Sequence, residues 1–166
     1  MSKTMIQKYS AFSLPILSGI LVSLALSPSG ISTAAWVAFI PLFLFLNNKT
    51  VTAKQAFWGA LLSGTIAGIT VLSPLYTLEA WWWVSPGTIF WDYRYFFWAL
   101  FLFAVALYSG GIFFGLFALL YRKFKKNTAR DMLLFAFVWT VMEYGRAWLV
   151  AGFSWGHLGY SLHDAI

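Results

Sequence analysis

Apolar positions gather into five long runs, at about 11–27, 31–46, 56–78, 95–121 and 131–151, separated by short polar, basic or proline- and glycine-containing breaks. A helix needs roughly 20 mainly apolar residues to cross a bilayer. The pattern therefore predicts an all-α membrane protein with about five transmembrane helices, in one helical domain covering 1–166, with an interfacial segment at 152–166. The second run is short and carries Pro41, which removes a backbone donor and favours a kink, so incomplete crossing is expected there. The fourth run is long and is expected to tilt.

Composition sharpens this picture. The chain is 61% hydrophobic and 10% charged, with a mean hydropathy of +0.76, which takes it outside the range of soluble domains. Aromatic residues make up 21%, including 10 Trp, as suits rings anchored at the headgroup level. The net charge of +6 does not point to nucleic acid, because the basic residues lie in short clusters between apolar runs. They set topology instead. With five alternating spans, Lys3, Lys8, Lys49, Lys54, Arg122, Lys123, Lys125, Lys126 and Arg130 share one side, against Arg94 and Arg146 on the other. Cytoplasmic loops are enriched in Lys and Arg, so the N-terminus is expected in the cytoplasm and the C-terminus outside. The first run, preceded by Lys3 and Lys8, has the outline of a secretory signal peptide. It leads straight into further spans, however, and reads as an uncleaved first helix of the same orientation. The sequon at Asn48 then faces the cytoplasm and carries no meaning.

Small residues recur at helix-packing spacing at Gly19 and Ser23, Gly64 and Gly68, and Gly111 and Gly115. In lipid such pairs let backbones approach closely, and packing within this chain is preferred to homodimerisation. The break at 79–94 is dense in Trp, with Glu79 and Asp92 near its ends; interfacial anchoring accounts for it, and an outer lipid platform is the sharper alternative.

The candidate chemistry sits in the last run. Glu143 and Arg146 lie three apart and share a helix face with Trp139, at roughly 12 Å and 8 Å below the outer end of the span by helix rise. Ionisable groups at that depth are expensive unless paired or facing a wet cavity, and so mark function by default; the competing reading is that Arg146 snorkels to the interface while Glu143 neutralises it. Beyond the span, three glycines in Gly152–Tyr160 disfavour continuous helix and predict a turn or shallow re-entrant segment presenting Phe153, Trp155 and Tyr160. His157 and His163, with Asp164, lack the ligand set and spacing of a metal site, so no metal and no cofactor are expected. With no cysteine, disulfides, thiol nucleophiles and thiolate metal sites are excluded within these residues.

The block WTVMEYGRAWLVAGFSWGHLGYS, from Trp139 to Ser161, closely resembles the signature of apolipoprotein N-acyltransferases, which typically reads Trp-x-x-x-Glu-x-x-Arg-Gly-Trp, then Thr-Gly-Phe-Pro-Trp and Leu-Gly-Tyr-Ser. LALSPSG at Leu24–Gly30 and AAWVAFIPLFLFL at Ala34–Leu46 are similar to the family's first hairpin. By position, Trp139, Glu143, Arg146 and Trp148 match the helical part of the signature, and Gly152, Phe153, Trp155, Gly159, Tyr160 and Ser161 the turn. Ala147 stands where the family has Gly, and Ser154 where it has Pro, which leaves the turn geometry less restrained.

The resemblance implies transfer of an acyl chain from phospholipid to the N-terminal diacylglyceryl-cysteine of bacterial lipoproteins, at the outer face of the inner membrane. It also implies a carbon-nitrogen hydrolase domain whose Glu, Lys and Cys act through a thioester. A chain without cysteine cannot form that intermediate, so this one is expected to be a family member's N-terminal membrane portion, split or truncated, and inactive alone, with no catalytic residue of its own. Phospholipid, lipoprotein and membrane lipid are the implied partners, together with a separately encoded hydrolase-like domain if the family enzyme is split. Trp139, Glu143, Arg146, Trp148, Gly152, Phe153, Trp155, Gly159 and Tyr160 are the implied substrate- and lipid-facing residues. The alternatives are a small freestanding transporter, for which the spans lack the usual symmetry, and a subunit that docks a hydrolase.

Overall fold

The computed structural model describes residues 12–26, 31–76 and 93–149, and among them all regular structure is helical. The helices are α1 (Ser13–Leu26), a short 3-10 segment (Ser32–Trp36), α2 (Ile40–Asn47), α3 (Ala53–Tyr76), α4 (Arg94–Ala106), a π-helical segment (Leu107–Ile112), α5 (Phe113–Phe124) and α6 (Asp131–Leu149). The five apolar runs thus each become helix. Two of the helices, Ala53–Ser73 and the continuous Tyr95–Phe124, are long and apolar enough to cross a membrane.

The second run departs from the expectation of one helix kinked at Pro41. It breaks earlier, in a turn at 37–39, and Pro41 falls in the first turn of α2. There its missing N–H is one that the helix could not have satisfied anyway, and its fixed φ suits helix initiation. The break exposes the Ala38 carbonyl, and the buried Ser18 hydroxyl of α1 donates to it at 2.6 Å. In an apolar medium a freed carbonyl needs such a donor.

α3 runs through the middle of the bundle, with α1 on one side and α4, the π segment and α5 on the others. These contacts are made by the small residues. A Cβ on Gly19 would stand 2.7 Å from the Ser63 carbonyl oxygen, and one on Gly64 2.6 Å from that of Gly110. The π segment accounts for the second approach. Its wider turn adds a residue to the α4–α5 helix and sets Gly110 and Gly111 against α3, a phase that an uninterrupted α-helix would not give. The hydroxyls beside it are satisfied locally, Ser109 Oγ donating to the Val105 carbonyl at 2.7 Å and Thr65 Oγ1 to that of Leu61 at 2.8 Å. Close packing within the chain is therefore the role of these glycines.

A test follows from the same geometry. Gly64→Val should lower the thermal midpoint of the purified chain, followed by helical circular dichroism, with a cost of about 1–3 kcal/mol. Backbone on one side and the Phe114 ring on the other leave the new methyls no space. Gly145→Ala, where nothing lies within 4 Å, should leave the midpoint unchanged or raised.

α6 is held to the bundle by rings. Trp139 packs on Phe39, Phe114 and Phe117 with centroids at 4.3, 4.8 and 5.4 Å, and Phe135 on Phe117, Tyr121 and Phe43 at 4.8, 5.3 and 5.4 Å. At the end where α2 finishes and α3 and α6 begin, polar groups take over. Tyr121 and Asn47 exchange hydrogen bonds at 2.8 and 3.0 Å. Arg122 Nη1 and Lys125 Nζ both donate to the Leu46 carbonyl, at 3.2 and 2.6 Å. Burial, and then the neighbouring Arg122 charge, hold the Lys125 ammonium below the ordinary lysine range, with Asp131 opposing. The Asn48 side chain of the sequon accepts from Thr50 N and Oγ1 in a closed local turn.

Candidate functional site

The spacing of Trp139, Glu143 and Arg146 puts them on one stripe of α6, and the fold turns that stripe inward. The three side chains line a small cavity with Phe113, Phe114 and Met142. Trp139, Arg146 and Phe114 also border a second, wider cleft that opens to the surface. Its floor is the close approach of Gly64 and Gly68 of α3 to Ser109 and Gly110 of the π segment, and its walls are Val22 and Leu26 of α1, Ala67, Val71 and Leu72 of α3, and Phe39.

Arg146 is the cationic side chain among these apolar walls. It is half-buried, and Glu143 lies one turn earlier on the same helix face. A guanidinium presents several donors in a rigid fork that suits a carboxylate or phosphate bidentately. Glu143 can orient it and balance its charge while no other anion is present. The chemistry of these groups suits an anion at the cationic edge and apolar matter along the walls.

The other predicted residues fall differently. Trp139 is chiefly a packing residue that also borders the cleft. Trp148 is 73% exposed and faces away from the cleft, against Tyr144 at 6.3 Å. Gly152, Phe153, Trp155, Gly159, Tyr160 and Ser161 lie outside the described residues, as do His157, His163, Asp164 and the tryptophan-rich segment with Glu79 and Asp92. Among the described residues no cluster of three or more His, Cys, Asp or Glu could hold a metal ion.

Sequence reasoning did not reach the cleft's far walls, Val22, Leu26, Ala67, Val71 and Leu72, which are ordinary apolar residues until the helices meet. It also missed the π segment. Its trace in the sequence is Ser109-Gly110-Gly111 in the middle of a long apolar run, where small residues allow the helix to widen without loss of packing.

Comparison with known proteins adds the family context. Residues 18–166 match the family described as apolipoprotein N-acyltransferase N-terminal domain. A protein of Geobacter metallireducens named apolipoprotein N-acyltransferase is 31% identical over 157 residues, covering 91% of this chain and 27% of the relative. One of Rhizobium rhizogenes with the same name is 30% identical over 152 residues, covering 89% and 27%. The chain thus spans about a quarter of the length of these relatives. No solved structure matches it significantly.

Proposed function

The chain belongs to the apolipoprotein N-acyltransferase family, matching its N-terminal domain, and from that membership we propose that it forms the membrane-embedded part of an enzyme acylating bacterial lipoproteins. In this reading the acyl chain passes from a phospholipid to the N-terminal diacylglyceryl-cysteine of the lipoprotein. The domain sits in the inner membrane as a multi-pass bundle, with the basic loops 48–52 and 125–130 in the cytoplasm and the end of α6 on the periplasmic side. Large apolar side chains exposed on every flank, among them Ile20, Ile69, Phe96, Leu116 and Phe137, support a lipid surround, since soluble monomers rarely expose contiguous apolar surface on this scale.

The observation that carries the reading is the placement of Arg146. Its side chain lines an apolar cleft, in a chain whose relatives are named for acyl transfer, and the proposed orientation puts that cleft at outer-leaflet depth. The phosphate of a phospholipid pairs with Arg146, Glu143 holds the fork in orientation, and the acyl chain lies along the apolar walls. The reaction itself belongs elsewhere. A thioester mechanism needs a thiolate, and these residues include no cysteine, so a thiol-bearing hydrolase domain acts with this one.

Supplying the 166-residue chain to cells that lack the acyltransferase should leave lipoprotein N-termini unacylated by mass spectrometry. Joined to a thiol-bearing hydrolase domain of the family, it should restore N-acylation. Acylation by the chain alone would overturn the division of labour, and a joined, well-expressed protein that stays inactive would overturn the assignment of this domain.

A further inference from the structure

We infer that the end of the bundle opposite the Arg146 cleft is a binding site for anionic phospholipid headgroups of the cytoplasmic leaflet, distinct from the acyl-donor site. The inference rests on the membrane orientation proposed above. Two loops far apart in sequence make this end. The 48–52 loop follows α2 and the 125–130 loop follows α5, and Asn47 with Tyr121, together with Arg122 and Lys125 on the Leu46 carbonyl, tie them side by side. A basic face assembled from both loops results, which neither has alone.

The charges on that face divide into two sets. Arg122 and Lys125 turn inward to the Leu46 carbonyl in the last turn of α2, where cations also complement the helix dipole. Lys49, Lys54, Lys123, Lys126 and Arg130 are exposed. The acid of this region, Asp131, is buried and already engaged, accepting from the backbone N–H groups of Lys126 and Thr128 at 3.1 and 3.3 Å. It fixes the loop and leaves the outward cations to meet anions from elsewhere. Asn127, two residues after Lys125, has φ +56°, a left-handed residue that turns the chain tightly between Lys126 and Arg130.

Apolar neighbours select a lipid rather than a soluble polyanion. Phe124 and Trp58 are half exposed, at 54% and 51%, and Trp58 lies one turn from Lys54, on the same face of α3. Rings beside ammonium groups at a helix end match the acyl-to-headgroup boundary, and each basic group near an anionic leaflet contributes about fivefold in binding.

The chain would be purified in nanodiscs of equal phosphatidylglycerol and phosphatidylcholine, and the lipids retained on it counted by native mass spectrometry. Phosphatidylglycerol should be enriched by at least about fivefold. The enrichment should vanish in K123Q/K126Q/R130Q and in high salt, with helicity unchanged; K49Q/K54Q should reduce it partly. Equal retention of the two lipids, or full enrichment in the triple variant, would overturn the inference. So would a single-stranded oligonucleotide that displaces the lipid at low salt. Carbonate extraction separates this from failure of the membrane reading: a chain extracted as soluble refutes the latter, whereas a chain that stays embedded without enrichment refutes only the headgroup site.

Discussion

Arg146→Gln in an intact acyltransferase built on this domain should lower lipoprotein acylation by about 10- to 100-fold, the range set by losing charge-assisted hydrogen bonds to a phosphate. Arg146→Lys should fall between the two, because an ammonium keeps the charge and loses the bidentate fork. Glutamine keeps donors and bulk, and Arg146 is half-buried at the cleft edge rather than in the ring cluster, so the protein should accumulate normally. The loss should appear mainly as weaker use of the phospholipid donor, measured by varying donor in mixed micelles and following acylated lipoprotein peptide by mass spectrometry. Full turnover in Arg146→Gln would show that the Glu143–Arg146 pair serves packing alone.

Trp139→Ala should be strongly destabilising. The indole makes three ring contacts, to Phe39, Phe114 and Phe117, each worth roughly 0.5–1.5 kcal/mol, for a total on the order of 3 kcal/mol, comparable with large-to-small substitutions in packed cores. The vacated space lies among Phe39, Phe114 and Phe117, which would lose their common partner. Trp139→Phe should recover a substantial part. Thermal unfolding of the purified chain checks both. A midpoint for Trp139→Ala within a degree of the parent would mean that α6 is held by something other than the aromatic cluster. Because Trp139 also borders the cleft, its loss should impair function as well, but through lower protein level, which separates it from Arg146→Gln.

Much of this protein was legible before folding, and the reason differs from element to element. The helices were readable because each apolar run is long and its breaks are sharp. The stripe of Trp139, Glu143 and Arg146 was readable because helical periodicity puts positions four and seven apart on one face. The glycine pairs announced close packing because only small residues permit it, yet their partners were not written anywhere: Gly64 meets Gly110, and Gly19 meets Ser63. Pro41 was readable as a disturbance but not as a helix start, since whether a proline bends or begins a helix depends on where the preceding chain stops hydrogen bonding.

By itself, then, the sequence determined the helical class, the number of apolar segments, the charge asymmetry between loops, the acid–base pair on one helix face and the family resemblance, all of which depend on local pattern. The tertiary structure alone decided the rest. It showed that α3 is the central helix, that a π turn brings Gly110 against Gly64, that residues from α1 and α3 face Arg146 across a cleft, and that Arg122 and Lys125 bind the Leu46 carbonyl 76 and 79 residues earlier. These are contacts between residues distant in the chain. They are chosen by the joint fit of backbones and rings, which no local stretch encodes.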